Sequence, residues 1–203
     1  MLKIHHTPRA RGLRVVWQCE EMGLPYEIAP VAFPMPDSYK ALNPMAALPF
    51  LEDEGGVAIN ESVAMMLYIA LKYGPTPLLP ASTDPTFARV LQMTVFGEAT
   101  IGMYGNMLVS AKFFAPEDQK SNWSVGYARE KMAKGMAYAE SMLARAPYLA
   151  GETFTLADIS VGYGVGIARS PMLGMESDLS SALLAYHDRL IARPAYQRAA
   201  AAK

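Results

Sequence analysis

Three side chains able to stabilise an anion crowd into residues 7–11 (TPRAR) of the stretch HHTPRARGLRVVW at 5–17: the Thr7 hydroxyl and the guanidinium groups of Arg9 and Arg11. An apolar strand pattern precedes this stretch and a helical one follows, so it marks a strand-to-helix junction. A hydroxyl can donate to a developing negative charge, and a guanidinium can offset one electrostatically. Arg11 sits nearest the helix start, where a cation opposes the helix dipole, a placement that suits an anionic partner. Each residue also has a plain reading: Thr7 as a turn former ahead of Pro8, Arg9 as a solvated charge. A second cluster, Asn60-Glu61-Ser62, opens another helical pattern, where free N–H groups and the dipole favour a carboxylate. Ser62 can equally serve as a helix cap. A third feature is Leu48-Pro49 within ALPF, a proline in a strand-like run, which an ordinary edge strand would tolerate.

Other reactive side chains carry less. His5 and His6 are neighbours on a strand, so their side chains face opposite ways and cannot chelate together. His187 is far off in sequence, and no metal site is expected. Cys19, the single cysteine, lies in an apolar helical pattern without a CxxC partner and reads as a core thiol. GYGVG at 162–166 follows a helix cap, not a strand, so its small residues point to close helix packing and not to a phosphate loop.

The elements that must position these groups fall into two kinds. Up to about residue 77 strands and helices alternate. LKI is a strand, and residues 12–22 form a helix with two apolar stripes, as expected of a helix buried on both sides. Gly23 stands at its C-cap and Pro25 prevents continuation. YEIAPV is a strand that Pro30 confines to an edge. ALPFLE and VAIN flank the glycine turn of a hairpin. ESVAMMLYIALKYG is a helix with Val63, Met66, Leu67 and Ala70 on its apolar stripe. The order is βαβ, a connection, then ββα. Residues 78–84 read as a linker, and 85–203 as all-helical, with helices towards 113, from APEDQK to near Pro147, at 155–168 and at 178–192, then a short tail after Pro194. In FTLADI, Thr155 and Asp158 form a capping box whose task is folding.

Bulk composition narrows the function classes. With 203 residues, of which 52% are hydrophobic, the chain can bury a sizeable core. A net charge of −1 argues against a nucleic-acid surface or a polybasic membrane patch. No apolar run approaches a membrane span, and MLKIHHTPRARG lacks a signal-peptide core. One cysteine suits a reducing compartment. The expectation is a soluble cytoplasmic protein without nucleic-acid or membrane partners.

Five segments in this order resemble the soluble glutathione transferase superfamily, in a bacterial-like form: LRVVWQCEEMGLPYE (13–27), LNPMAALPFLED (42–53), INESVAMMLYI (59–69), YLAGETFTLADI (148–159) and RLIARPAYQRA (189–199). The resemblance implies a thioredoxin-like α/β domain (βαβ-ββα, residues 1–77) that binds glutathione and an all-α C-terminal domain that holds the second substrate. It implies a homodimer and a detoxification role. It also implies a cis Leu48-Pro49 peptide, with the Leu48 backbone pairing with the cysteinyl part of glutathione. Ser62 would donate to the γ-glutamyl carboxylate and Glu61 accept from its ammonium. Relatives commonly carry Tyr, Ser or Cys at the first junction to activate the thiol; the corresponding positions here read as Ala10 and Gly12, which leaves Thr7 and Arg11, then Arg9, as candidates. Ala46 and Ala47 replace a glycine and a polar residue common in relatives. The hydrophobic electrophile would lie between the domains against Met103, Tyr104, Met107 and Phe114, a stripe that could equally be plain core. A non-catalytic member that binds glutathione or a partner, or a glutathione-dependent isomerase or lyase, is the alternative; the isomerase branch's SSCxWR-type junction is absent.

Overall fold

A computed structural model describes residues 1–8 and 10–202. By contacts the chain forms two compact units, one of Met1–Thr76 with Ile191–Lys203 and one of Pro77–Leu190.

The first unit follows the expected βαβ-ββα order: β1 (Leu2–His6), α1 (Gly12–Met22), β2 (Tyr26–Pro30), α2 (Asp37–Leu42), β3 (Phe50–Asp53), β4 (Val57–Ile59) and α3 (Ser62–Lys72). The sheet order is β2-β1-β3-β4, with β2 parallel to β1 and the other neighbours antiparallel. Pro30 ends the edge strand β2, where its missing N–H costs no ladder bond. α1 stops at Gly23, whose left-handed φ of 64° lets the Gly23 and Leu24 N–H groups reach the Glu20 and Cys19 carbonyls. The hairpin turn uses Gly55 and Gly56, both at positive φ.

α1 is buried on both sides, as its two stripes require. It packs on β1 and α3, and its other face is covered by a C-terminal helix, Pro194–Ala201. The sequence pattern suggests only a short tail after Pro194. Pro194 instead occupies the first helical turn, where its fixed φ and missing N–H are acceptable. Trp17 meets Tyr196 edge-on at 4.9 Å, and Arg193 grips Glu21 with two bonds of 2.6 and 2.7 Å. The short α2 replaces what reads as plain connection. In α3 the buried residues are Ser62, Met65, Met66, Ile69 and Ala70, so Val63 and Leu67 lie at the margin of the stripe and not at its centre.

The second unit is helical: α4 (Phe87–Phe96), α5 (Met103–Phe114), α6 (Trp123–Leu143), α7 (Leu156–Arg169) and most of α8 (Ser181–Ile191); the C-terminal helix is α9. α4 and α5 are joined by a π-helical segment, Gly97–Gly102. Gly97 there serves contact with α7: a Cβ on it would stand 2.7 Å or less from Ser160 and Val161, including backbone atoms. Gly164 of α7 answers in kind, since a Cβ there would meet Ile101 at 2.5 Å. That is the close packing GYGVG suggests. α6 starts later than APEDQK implies, because Glu117–Gln119 form a separate 3-10 turn and Asn122 provides the cap, accepting from the Val125 N–H at 3.2 Å. The capping box forms: the Thr155 N–H donates to Asp158 at 2.9 Å, and Asp158 also receives the Tyr186 hydroxyl at 2.8 Å. Among the described residues no helix is long and apolar enough to cross a membrane.

Candidate functional site

Strand directions bring the expected site residues to one end of the sheet. His5 pairs with Phe50 in antiparallel sense, so the chain leaving β1 through Thr7 emerges beside the chain entering β3 through Leu48-Pro49. Leu51 pairs with Ile59, so the exit of β4 through Asn60-Glu61-Ser62 lies at that same end. β2, parallel to β1, delivers Pro30 there too.

Leu48-Pro49 is cis. Leu48 packs its side chain on Val31, Tyr39 and Phe50, and no described residue hydrogen-bonds to its backbone N–H or C=O. A free donor and acceptor beside a strand end can take an extended peptide as an added strand would. The loop ahead of it is held by Asn43, a buried side chain that sequence reading passed over. Its Nδ2 donates to the Ala47 carbonyl at 3.0 Å and to Asn60 Oδ1 at 2.9 Å, while Asn60 Nδ2 returns a bond of 3.1 Å to Asn43 Oδ1. This amide pair ties the 43–47 loop to the segment that delivers Glu61 and Ser62. The Tyr39 hydroxyl adds a 2.6 Å bond to the Ala47 carbonyl.

Glu61 has φ +69°, an uncommon conformation for a non-glycine residue, of the kind that collects at binding and active sites. Its side chain is exposed. Ser62 follows as the first residue of α3 and is buried. Its Oγ accepts a 3.1 Å bond from Arg14 Nη1, a guanidinium from α1 that is fully buried. Sequence reading placed no function on Arg14, since a single arginine in an apolar helix gives no local sign of a partner 48 residues away.

At the first junction Thr7 is half-buried; its carbonyl accepts from the Ala10 N–H at 3.2 Å, and no described residue bonds to its hydroxyl. Arg11 occupies the N-cap position of α1, and the helix begins without a side-chain cap. Arg9 lies outside the described residues. Gly12 is small for a structural reason: a Cβ would come within 2.3 Å of His6 Nδ1. His6 is buried beneath the junction, and burial lowers its pKa and favours the neutral ring. His5 faces the other way, towards Tyr39 and Phe50, with Nε2 2.6 Å from Glu52. Cys19 is buried in α1, and desolvation, with Glu20 adding to it, pushes its thiol up to about 12, so it is not a nucleophile. Among the described residues no group of three or more His, Cys, Asp or Glu could hold a metal ion.

In the second unit Met103, Met107 and Phe114 share one stripe of α5 and are 44%, 41% and 83% exposed, so they are not core. Tyr104 turns aside, half-buried, with its ring edge-on to Tyr127.

Two family descriptions fit these features. The glutathione S-transferase N-terminal domain matches residues 10–72, and the corresponding C-terminal domain matches 106–198. A maize glutathione S-transferase 3 is 33% identical over 99% of this chain and 94% of its own length. The chain belongs to the glutathione S-transferase family. A solved glutathione transferase from Phanerochaete chrysosporium, with oxidized glutathione, superposes with a TM-score of 0.83 at 27% identity, covering 98% of this chain and 92% of that one. A sphingomonad glutathione S-transferase complexed with glutathione gives 0.82 at 25% identity, over 98% and 97% of the two chains. The resemblance therefore extends over both units, and the first has a thioredoxin-like order of strands and helices.

Proposed function

We propose that this protein is an active glutathione transferase that joins the glutathione sulfur to hydrophobic electrophiles. The observation that carries the reading is the meeting, at one end of the sheet, of an unshared Leu48 backbone pair, a left-handed Glu61 and the first turn of α3. The Leu48 backbone pairs with the cysteinyl residue beside Pro49. Ser62 and the dipole of α3 hold the γ-glutamyl carboxylate, and Glu61 accepts from the ammonium. That geometry delivers the thiol towards the β1–α1 junction, where Thr7, Arg11 and the start of α1 favour the thiolate; Arg9 is a further candidate contact. The thiol proton passes to solvent. The thiolate then forms a carbon–sulfur bond, and either a leaving group departs with its electron pair or the electrons displaced onto the acceptor are protonated. The acceptor rests on the α5 stripe of Met103, Met107 and Phe114, with Tyr104 as its polar edge. A cytoplasmic homodimer with a detoxifying role completes the reading.

Calorimetric titration with glutathione and ultraviolet titration of its bound thiol test this directly. Binding with a thiol pKa below the free value near ~8.5 is expected. Thr7→Val and Arg11→Ala should each lower turnover of a model electrophile by roughly tenfold or more; unchanged turnover in both removes them as activators. Ala46 and Ala47 favour a second reading, a binding protein without turnover, because they withhold a polar contact to the tripeptide. Glutathione binding with no product across a panel of electrophiles would select it.

A further inference from the structure

We infer that Arg14 is a positioning residue for glutathione: from beneath the site it fixes the polarity of the Ser62 hydroxyl and sets a buried positive charge behind the carboxylate subsite. This rests on the reading that Ser62 meets the γ-glutamyl carboxylate.

The argument begins with donor count. A guanidinium has N–H donors and no acceptor. The 3.1 Å contact from Arg14 Nη1 to Ser62 Oγ therefore uses a lone pair of the hydroxyl oxygen. The hydroxyl proton is left to be donated elsewhere. Without such a contact a serine at the start of a helix can turn its proton inward to a backbone carbonyl, a state that presents oxygen lone pairs to an incoming anion. Arg14 disfavours that state and leaves a donor.

Burial makes the contact consequential. Arg14 is 0% exposed and Ser62 2%, so water does not compete for this bond. The charge is permanent, since arginine does not deprotonate in proteins. It acts in the same sense as the N-terminal end of the α3 dipole, so both favour an anion at the first turn of α3. α1 supplies Arg14 and α3 supplies Ser62, and the two helices pack together on the sheet. The carboxylate subsite is thereby built from two helices, with only one of them touching the ligand.

The test compares glutathione with 4-aminobutyryl-cysteinyl-glycine, which lacks only the γ-glutamyl carboxylate. Dissociation constants of both are measured by calorimetry for wild type, Arg14→Met and Arg14→Lys, with circular dichroism to confirm folding. Arg14→Met keeps an unbranched apolar stem but no charge. It is expected to weaken glutathione about tenfold or more, the scale of a charged hydrogen bond, and to leave the analogue within about twofold. Arg14→Lys keeps the charge and loses the planar fork. It should weaken glutathione about threefold to fivefold with the analogue again unmoved. In any variant that folds, a loss of equal size on both ligands, or on neither, overturns the inference and makes Arg14 a purely structural group. Should Arg14→Met fail to fold, Arg14→Lys decides by the same comparison. If the wild type binds both ligands equally, the carboxylate reading of Ser62 is what fails, a result separate from any effect of Arg14.

Discussion

Ala46 shows how far single residues at this site depart from what their side chains suggest. Its φ is +46°, the region in which glycine is the easy residue, and the chain places an alanine there. A left-handed L-residue costs about 1–2 kcal/mol, partly offset by the roughly 0.5–1 kcal/mol of extra chain entropy that glycine loses on folding. Ala46→Gly is therefore expected to stabilise the protein by about 0.5–1 kcal/mol, which at this size raises Tm by about 1–4 °C. A thermal melt reads this, and a lowered Tm would contradict the strain. At this scale the special Leu48-Pro49 peptide and the helix start at Ser62 were legible, because a proline in a strand-like run and a hydroxyl ahead of a helical pattern leave marks in the sequence. Arg14 and Asn43 were not. Each acts through a partner brought close only by folding, Ser62 for one and Asn60 for the other, and neither spacing is a helical or strand period.

Pairs of elements carry the second unit, and the contact of α7 with α8 contains a titrating group. His187 is buried against Gly166, where an added Cβ would stand 3.0 Å from Nε2, and its Nδ1 lies 3.4 Å from Arg169 Nη1. Arg169 is itself paired with Glu176 and Asp188. Burial first, and the Arg169 charge second, lower the imidazole from 6.5 to about 4. A histidine whose folded pKa lies below its unfolded value contributes fully above pH 6.5 and loses that contribution as pH falls towards 4. The loss approaches roughly 3 kcal/mol at about 1.4 kcal/mol per pH unit. Between pH 7 and 4 the wild-type Tm should fall by several degrees more than that of His187→Gln; parallel curves would show that His187 does not drive the change. Sequence periodicity finds α7 and α8 but says nothing of this contact. It also misplaces the start of α6, because first-turn acids and a proline mark the 3-10 turn at Glu117–Gln119 as readily as a true helix start.

For the molecule as a whole, the route of the chain matters more than any one element. It builds the sheet unit, then the helical unit, and returns at Ile191 to finish the first. That return was hidden in the sequence, since a proline near the end reads as a stop, and only the bare outer stripe of α1 hints at a missing cover. Deleting residues 194–203 uncovers Trp17 and strips Glu20 of its partner Arg198. The expected cost is at least about 3 kcal/mol, the scale of losing a large aromatic contact. Trp123 is exposed, so Trp123→Phe leaves Trp17 as the sole indole reporter. In that background the deletion should red-shift the emission, and an unchanged spectrum would mean that α9 does not shield Trp17.

The same return sets an order in time. A ribosome adds about 5–20 residues each second, and the 114 residues of Pro77–Leu190 stand between the sheet unit and its closing helix. On the order of ten seconds therefore pass in which the nascent sheet unit carries an uncovered tryptophan and two acids awaiting their arginines. A chaperone that shields apolar surface during synthesis would find its target there, on the outer face of α1.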